Sequence, residues 1–235
     1  IYAAALAPFP IGVDEIAMAG ALRGEPVEMV PCETIPLEVP AMAEVVIEGE
    51  IPPGVLREEG PFGEFTGYYG DRAPRPVIQV KAITHRRDFI FQGSYMGIPP
   101  HEACVAWAVC NEAELIRQCP LPGIKRIHFT SGGGGGLHAI VSVKKPFDGF
   151  GKMVGLSVLG TTAGRTVKMV TVVDDDIDPY QLAQVDWAVA TRMQIDRDID
   201  VIKDVTANIL DPTMTLDEKR GASRTDKMII DATKP

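Results

Sequence analysis

The sequence predicts an α+β fold in which a mostly β first part is followed by a mixed α/β part. Short runs rich in valine, isoleucine and threonine, separated by prolines, fill the stretch from 27 to 51. After Pro99 and Pro100 the apolar residues change from the spacing of strands to an alternation of helical and strand spacings. We therefore divide the chain into a first part at 1–100, a second part at 101–195 and a C-terminal tail at 196–235.

The first part is expected to contain a short helix and a β-hairpin. Asp14 is a suitable N-cap for the helix, and Arg23 and Gly24 are typical of its end. Residues Val77–Thr84 alternate polar and apolar side chains and predict a strand, with Phe89–Met96 as its hairpin partner.

The second part is expected to alternate helices and strands. One helix should begin after Asp178, with Pro179 in its first turn and Gln181 completing a capping box, and run to about Met193. The stretch from 210 to 235 has little periodicity, so we expect an extended tail without fixed structure that wraps a neighbouring surface. The other predicted helices are His101–Gln118 and Gly151–Leu159, and the predicted strands are Ile124–Thr130, Leu137–Val143 and Val167–Val173.

Composition excludes several classes of protein. The chain has 235 residues, of which 46% are hydrophobic and 23% charged, as in ordinary folded domains. Its 23 basic and 32 acidic residues give a net charge of −9, which argues against nucleic acid as a partner. Proline, glycine or charge interrupts every apolar stretch before the ~18 residues that a membrane span needs. The sequence therefore predicts a folded protein without a membrane span.

The cysteines bear on the cellular compartment of the protein, and the first residues bear on whether the sequence is part of a longer protein. Cys32, Cys104, Cys110 and Cys119 lack Cys-x-x-Cys spacing and are too few for a disulfide scaffold, so we expect reduced thiols in a cytoplasmic protein. The segment that starts at Ile1 has neither an initiator methionine nor the basic start of a signal peptide. We expect it to be an inner portion of a longer protein.

The segment from Glu59 to Gly70 contains the strongest candidates for chemistry. A turn at its glycines and proline would bring the carboxylates of Glu59 and Glu64 together, and burial beside aromatic rings would raise the pKa of one of them. One acid would then donate a proton while its partner stays ionised. Spacing alone favours the alternative, a glycine-rich surface hairpin with two solvated glutamates. The surrounding rings are Phe62, Phe65, Tyr68 and Tyr69.

Other motifs favour structural roles. The alternating acids of Asp174–Asp178 suggest a calcium loop, but Pro179 replaces its glycine and Val185 its bidentate glutamate. The glycines at 132–136 are followed by a strand and not by the lysine and helix of a phosphate loop, so a strand connection is favoured. Lysines are mostly solvated, although Lys168, near a strand end, is placed to hold a cofactor phosphate. The histidines, which lack zinc-ligand spacing, are His85, His101, His128 and His138.

The run Glu59–Tyr69 resembles the signature of the UbiD family of reversible decarboxylases, which use prenylated flavin mononucleotide. Further blocks agree in order and spacing over nearly the whole chain. This agreement favours the paired acids over the solvated hairpin. The blocks are Ala7–Pro10 leading to Asp14 and Glu15, Ala19–Val27, Pro76–His85, Leu137–Lys145, Val172–Asp178 and Asp231–Pro235.

The resemblance implies an architecture and roles for the acids. Residues 1–100 would be part of a flavin-binding split β-barrel, and the second part an α/β oligomerisation domain of a homo-oligomer. Glu64 would protonate the substrate carbon after carbon dioxide leaves, with Glu59 as its partner in an Arg-Glu-Glu network. The substrate would be an aromatic, heteroaromatic or α,β-unsaturated carboxylic acid. The flavin carries the difficult chemistry while the protein orients and protonates.

The resemblance also implies how cofactors are held. Ala7 and Pro8 would line the flavin, and Lys168 would contact its phosphate. Glu15 would bind a divalent metal, typically manganese, that bridges to the phosphate, with potassium as a further candidate ion. Family members carry the network's arginine and the other metal ligands in an N-terminal portion that this sequence lacks. We therefore expect a catalytically incomplete C-terminal part, which works with the missing portion or a companion chain.

Two other functions remain open from the sequence. A flavin-binding or assembly fragment would bind the cofactor without turnover of its own. A hydrolase would use Glu59 and Glu64 as an acid and a nucleophile, as in glycosidases. Only 6% of the residues are aromatic, which leaves little for the sugar platform that the hydrolase would need.

Overall fold

A computed structural model describes residues 1–220 and 223–235, and it shows the mixed α+β architecture that the sequence predicts. Residues 221–222, which belong to the predicted tail, lie outside the described residues. Every helix that the structure describes is too short or too polar to span a lipid bilayer. The described helices are α1 (Tyr2–Leu6), α2 (Glu15–Arg23), α3 (Glu102–Gln118), α4 (Phe150–Leu159), α5 (Leu182–Arg192), α6 (Ile195–Asp198) and α7 (Leu216–Arg220).

The first part contains α1, α2 and six short strands that pair two by two. Among the described residues these strands close no barrel. Asp14 caps α2 as predicted, because its Oδ1 accepts hydrogen bonds from the backbone N–H groups of Ile16 (2.8 Å) and Ala17 (3.1 Å). Gly24 ends the helix in the left-handed conformation, with φ of 84°. The antiparallel pairs are β1 (Met29–Pro31) with β2 (Glu38–Pro40), β3 (Val45–Glu50) with β6 (Gln79–His85), and β4 (Leu56–Glu59) with β5 (Ala73–Pro76).

The hairpin predicted between Val77–Thr84 and Phe89–Met96 is wrong. The first segment forms β6, but its partner is β3, and residues 89–96 form no strand. Glu44 explains the difference, because its Oε2 accepts the backbone N–H of Ile90 at 2.9 Å. The chain after β6 is thereby tied to the residue that precedes β3, and not to β6 itself.

The second part is a five-stranded mixed sheet in the order β10-β11-β9-β8-β7. The two inner pairs, β8 with β9 and β9 with β11, are parallel, and the two outer pairs are antiparallel. Buried side chains alternate between the faces, so Val141 packs with α3 and α4 on one face and Ile140 packs with α5 on the other. The strands are β7 (Ile124–Phe129), β8 (His138–Val143), β9 (Met169–Asp174), β10 (Ile199–Thr206) and β11 (Arg224–Ala232).

The expectation of an unstructured tail from 210 to 235 is wrong. This stretch contains β11, an inner strand in which Ile229 is fully buried. Two glycines of α4 let the helix approach this strand closely, because a Cβ on Gly155 would stand 2.4 Å from Cγ2 of Ile229 and one on Gly151 would stand 2.1 Å from a carboxylate oxygen of Asp231. The last residues are therefore part of the core.

The start of α5 also differs from the prediction. The helix begins at Leu182, and the side chain of the residue before it, Gln181, makes no capping hydrogen bond. Asp178 instead accepts the backbone N–H of Tyr180 at 3.2 Å in the preceding turn. Asp178, which was predicted to cap the helix, therefore stabilises this turn, and α5 begins after the turn.

Candidate active site

The segment from Gly60 to Gly70 folds into a compact hairpin. Backbone hydrogen bonds from Glu64 N to the Tyr68 carbonyl (2.9 Å) and from Gly70 N to the Phe62 carbonyl (2.8 Å) close it. Gly67 has φ of 82°, and a Cβ there would stand 2.9 Å from Cα of Ile98. Only glycine therefore fits at this point of the turn.

Glu64 lies inside the hairpin and faces a cavity of about 380 Å³ that Glu59 also lines. Burial raises the pKa of Glu64, and the negative charge of Glu59 raises it further. Gly70 leaves room for the carboxyl group, because a Cβ there would stand 3.0 Å from Oε1 of Glu64. The structure thus brings the two predicted acids to one site. Aromatic rings of Phe62, Tyr68 and Tyr69 line the same cavity.

The opposite wall of this cavity comes from the loop between β10 and β11. Ile209, Leu210 and Pro212 supply apolar surface there. Sequence reasoning missed these residues because Leu210 and Pro212 fall in the stretch expected to have no fixed structure and Ile209 directly precedes it. Their spacing carries no motif, and only the return of β11 to the sheet brings them opposite Glu64.

Among the side chains that the structure describes, three cations line the cavity, and each is paired with an acid. Nε of Arg75 lies 3.9 Å from a carboxylate oxygen of Glu59, so an arginine of this chain accompanies the second acid. The other pairs are Arg72 with Glu58 (3.3 Å) and Lys219 with Asp71 (2.9 Å). Nothing in the sequence alone marks Arg75 as part of the site. The structure places it on β5, the strand that pairs with β4.

Lys168 lies outside this cavity and is engaged by its own chain. Its ammonium is 2.8 Å from Oδ2 of Asp211, which is 1% exposed, and it also bonds Thr213 Oγ1 at 2.5 Å. Burial alone would raise the pKa of Asp211, but hydrogen bonds from Lys168 and Thr213 outweigh it and lower the pKa. A phosphate at Lys168 would share the ammonium with this carboxylate.

The remaining predicted residues lie near the N-terminal helices and are not among the described residues that line the cavity. Ala7 is the C-cap of α1, and the carbonyl of Pro8 accepts a hydrogen bond of 3.3 Å from the side chain of Gln118 in α3. Glu15 is exposed in the first turn of α2. Within the described residues, no group of three or more His, Cys, Asp or Glu side chains is placed to hold a metal ion.

A larger cavity of about 700 Å³ lies between α5 and the sheet. Apolar side chains such as Val185, Met228 and Ile230 form most of its wall. His138 lines it too, and burial, followed by the charge of His128, lowers the pKa of His138 to about 4. Its ring therefore stays neutral at neutral pH, with Nε2 3.0 Å from the hydroxyl of Thr171.

Two family models match the chain. Residues 1–99 match the 3-octaprenyl-4-hydroxybenzoate carboxy-lyase Rift-related domain, and residues 104–232 match the C-terminal domain of the same carboxy-lyase. Among curated proteins, phenolic acid decarboxylase of Bacillus subtilis (strain 168) is 40% identical over 248 residues, which cover 100% of this chain and 49% of that protein.

Solved structures agree with these matches. The UbiD-class enzyme HmfF from Pelotomaculum thermopropionicum, in complex with FMN, is 41% identical with a TM-score of 0.86, over 100% of this chain and 51% of that one. An evolved dimeric form of HmfF with prFMN is 40% identical with a TM-score of 0.82, over 100% and 50%. Vanillic acid decarboxylase of Sedimentibacter hydroxybenzoicus, with truncated ShVdcD, is 33% identical with a TM-score of 0.86, over 100% and 50%.

The chain thus spans about half the length of the relatives that it matches. Both of its parts are accounted for, because the two family models together cover the paired strands of the first part and the five-stranded sheet of the second. The mixed helix and sheet architecture is that of UbiD-class enzymes. The chain belongs to the UbiD family of carboxy-lyases.

Proposed function

We propose that the protein to which this chain contributes is a non-oxidative, reversible decarboxylase with Glu64 as its proton donor. The observation that carries the proposal is the position of Glu64 in an aromatic-lined cavity, where burial and Glu59 raise its pKa. A carboxyl group in such a place keeps its proton at a higher pH than a solvated one, which is what a general acid requires. The family membership supports the same reaction class.

The residues of this chain would act after the carboxylate of the substrate has left as carbon dioxide. Glu64 would transfer its proton to the carbon that lost the carboxylate and become a carboxylate itself, and a proton from solvent would restore it. The negative charge of Glu59 raises the pKa of Glu64 and so favours the protonated form of Glu64 before the transfer. One proton thus replaces one carbon dioxide on the substrate, and no net oxidation occurs.

The lining of the cavity supports an aromatic, heteroaromatic or α,β-unsaturated acid as the substrate. Flat aromatic surface is supplied by Phe62 and Tyr68, and Leu210 adds apolar surface to the same cavity. Arg72 and Arg75 place positive charge at the same cavity, which suits a carboxylate. Carbon dioxide release from a panel of aromatic and unsaturated acids would identify the acid.

Prenylated FMN is the cofactor that we propose, and when bound it would supply the electron sink that lets the carboxylate leave. The exposed rings of Phe62 and Tyr68 beside Glu64 fit the planar end of a flavin. We propose that Ala7 and Pro8 line the flavin and that Lys168 contacts its phosphate, sharing its ammonium with Asp211. The neighbours solved with FMN and prFMN support the cofactor class.

A manganese site does not fit the described residues of this chain alone. Glu15 stands exposed on α2 and belongs to no group of three or more His, Cys, Asp or Glu side chains that could hold a metal among those residues. We propose Glu15 as the single ligand that this chain gives to a manganese ion, with potassium as a further ion. The other ligands would come from outside this chain, because one carboxylate cannot supply the six ligands that such an ion prefers.

We propose that a companion portion, either the N-terminal half of a longer protein or a separate chain, completes the first part. The support is the surface around β3 and β6, which pair only with each other in the described part of the chain. A two-stranded sheet is marginal alone, so this surface needs cover. Its apolar side chains are more than half exposed at Ile47, Val80, Ile83, Ile90, Phe91 and Ile98.

We further propose that the completed protein forms a homo-oligomer through its second part and works in the cytoplasm. An apolar row on α3, formed by Val105, Val109 and Ile116, is exposed in the single chain and would be covered by an assembly. The four cysteines are free, which suits a reducing compartment.

The test is reconstitution of this chain with its companion portion, prenylated FMN and manganese, followed by measurement of carbon dioxide release from a panel of aromatic and unsaturated acids. Glu64→Gln should keep flavin binding and lower kcat at least about 100-fold. Glu58→Gln is the matched control, because Glu58 lies next to Glu59 but pairs with Arg72 and does not line the cavity.

Each outcome separates the candidate functions. Release of carbon dioxide that depends on Glu64 supports the decarboxylase. Tight flavin binding without turnover of any acid would support the assembly fragment, and turnover of glycosides without flavin would support the hydrolase. Equal activity of Glu64→Gln and the unaltered protein would remove Glu64 from the mechanism.

A further inference from the structure

The residue that follows Glu64 is tied to the start of α3. The carbonyl oxygen of Phe65 lies 3.3 Å from Nε2 of His101 and 4.0 Å from Sγ of Cys104. His101 is 5% exposed and Cys104 is 2% exposed. The two residues are three apart, so they project from one side of the helix start. Two buried polar side chains of the second part therefore converge on one backbone oxygen of the Glu64 hairpin.

The chemistry of the carbonyl group assigns the proton on His101. Nε2 of His101 also lies 3.0 Å from Sγ of Cys104, and a carbonyl oxygen only accepts hydrogen bonds, so we take Nε2–H as a donor shared between the Phe65 carbonyl and the Cys104 sulfur. Nδ1 is then the unprotonated nitrogen, and it is buried without a hydrogen-bond partner in the part of the chain that the structure describes. Burial raises the pKa of the Cys104 thiol, so its S–H group remains a donor to the same oxygen.

The ring of Phe65 is held as firmly as its carbonyl. Trp107, one turn further along α3, meets it edge-on with ring centroids 5.1 Å apart and an angle of 88° between the planes. On the other side a Cβ at Gly134 would stand 2.9 Å from Cδ2 of Phe65. The loop between β7 and β8 thus packs against the ring, and both contacts come from the second part of the chain.

We propose that His101, assisted by Cys104, is a positioning residue for the proton donor. By fixing the Phe65 carbonyl it fixes the peptide between Phe65 and Thr66, one residue beyond Glu64, and hence the direction in which the carboxyl group of Glu64 enters the cavity. This inference rests on the proposed role of Glu64. The hydrogen bonds within the hairpin leave the Phe65 carbonyl free to rotate with the turn, and α3 is what holds it to the second part.

Leaving a buried polar atom such as Nδ1 without a hydrogen-bond partner destabilises the folded protein. A leucine at position 101 would avoid that cost but would lose the donor to Phe65. The histidine at this position therefore fits a role in geometry better than a role in packing. A displacement of about 1 Å at a catalytic group can lower a rate about 100-fold.

The test uses the enzyme reconstituted with its companion portion and prenylated FMN. His101→Leu removes the donor and keeps apolar bulk, whereas His101→Gln keeps an N–H donor near the place of Nε2. We expect His101→Leu to lower kcat about 10- to 100-fold with KM and the flavin absorption spectrum unchanged. His101→Gln should recover most of the loss, which a residue needed only for packing would not show.

The matched control is His128→Leu. His128 is also partly buried and bonds a carboxylate of α3, with Nδ1 2.9 Å from Oε1 of Glu112, but it makes no contact with Phe65 among the hydrogen bonds described. This variant should keep kcat. A second readout is hydrogen–deuterium exchange of the peptide that spans residues 62–70, which should be faster in His101→Leu than in His128→Leu.

Two results would overturn the inference. An active enzyme in which His101→Leu keeps the full kcat shows that the tie to Phe65 does not position the acid. If hydrogen–deuterium exchange at residues 62–70 is unchanged in His101→Leu, the contact between His101 and Phe65 does not hold the hairpin. This measurement tests the inference even if the enzyme turns over no acid. Failure of the proposed function is seen separately, as turnover that is absent or independent of Glu64 in the unaltered enzyme.

Discussion

Nζ of Lys168 lies 2.8 Å from Oδ2 of Asp211, and this pair joins the start of β9 to the loop that faces Glu64. Asp211 stands between Leu210 and Pro212, both of which line the cavity. Asp211 is 1% exposed, whereas the side chain of Lys168 is 33% exposed, so the carboxylate is buried and its cation reaches the surface. The wall opposite the proton donor is thus fixed by an ion pair that lies outside the cavity.

Removal of the lysine should destabilise the protein more than removal of the pair. Lys168→Met leaves the buried carboxylate of Asp211 without its cation, which costs about 1–3 kcal/mol because the Thr213 hydrogen bonds remain. The double variant Lys168→Met with Asp211→Leu should recover a large part of that loss. Denaturant unfolding of the four proteins in a double-mutant cycle measures the coupling. A loss below about 1 kcal/mol in Lys168→Met would contradict a structural role for the pair.

The ion pair also predicts a pH dependence. The folded-state pKa of Asp211 is lowered, so its contribution to stability is present above the unfolded value of about 3.9 and is lost as the pH falls through the folded pKa. Asp211→Asn should flatten the acid limb of a plot of Tm against pH. An acid limb that is equally steep in both proteins would assign it to other carboxylates.

Glu59→Gln should shift the pH dependence of catalysis without abolishing it. The charge of Glu59 raises the pKa of Glu64, so its removal should lower that pKa. The loss of activity at high pH, where Glu64 gives up its proton, should then begin at a lower pH than in the unaltered enzyme. A profile of kcat against pH measures the shift, with Glu58→Gln as the control. A shift to higher pH would contradict the sign of the interaction.

The lowered pKa of Lys227 predicts that the free energy of unfolding rises with pH above about pH 8. Burial, followed by the charge of Arg165, lowers its pKa to about 8, while its ammonium bonds the carbonyl of Arg165 at 2.7 Å. Between pH 8 and the unfolded value of about 10.4, the unfolded chain binds the extra proton, so stability increases by about 1.4 kcal/mol per pH unit for this group.

Lys227→Met should remove this alkaline rise. The comparison of Tm between pH 8 and 10 in the two proteins isolates the lysine from other groups, since the remaining titrations are common to both. A rise of the same slope in Lys227→Met would show that another group is responsible.

Gly155→Ala should loosen α4 from β11. The added methyl group would stand 2.4 Å from Cγ2 of Ile229, and such overpacking costs about 1–3 kcal/mol. Ile229→Ala removes the obstructing atoms, so the double variant should lose less stability than the sum of the two single losses. Strict additivity in denaturant unfolding would contradict the close contact.

Local signals in the sequence predicted the elements that depend on them. The cap at Asp14 and the glycine at Gly24 mark both ends of α2, and the glycines around Pro61 predicted the turn that brings Glu59 and Glu64 to one cavity. These features arise from residues a few positions apart. Short-range rules therefore suffice for them.

The features that were missed depend on distant residues. β11 carries a buried lysine, Lys227, whose partners are the carbonyls of Gly164 and Arg165, so its pattern does not resemble that of an inner strand. The tie between Glu44 and Ile90 spans 46 positions and displaces the predicted hairpin. The wall at Leu210 reaches the site only through that late strand. Spacing along the chain carries no signal for any of the three.

The place of β11 between β9 and β10 has a consequence for synthesis. The ribosome delivers residues 169–174 and 199–206 well before residue 232, so the nascent chain holds two strand edges open with nothing between them. Such edges attract strands of other molecules. Nascent chains of this protein should therefore need protection by a chaperone until β11 (Arg224–Ala232) has emerged and fills the gap.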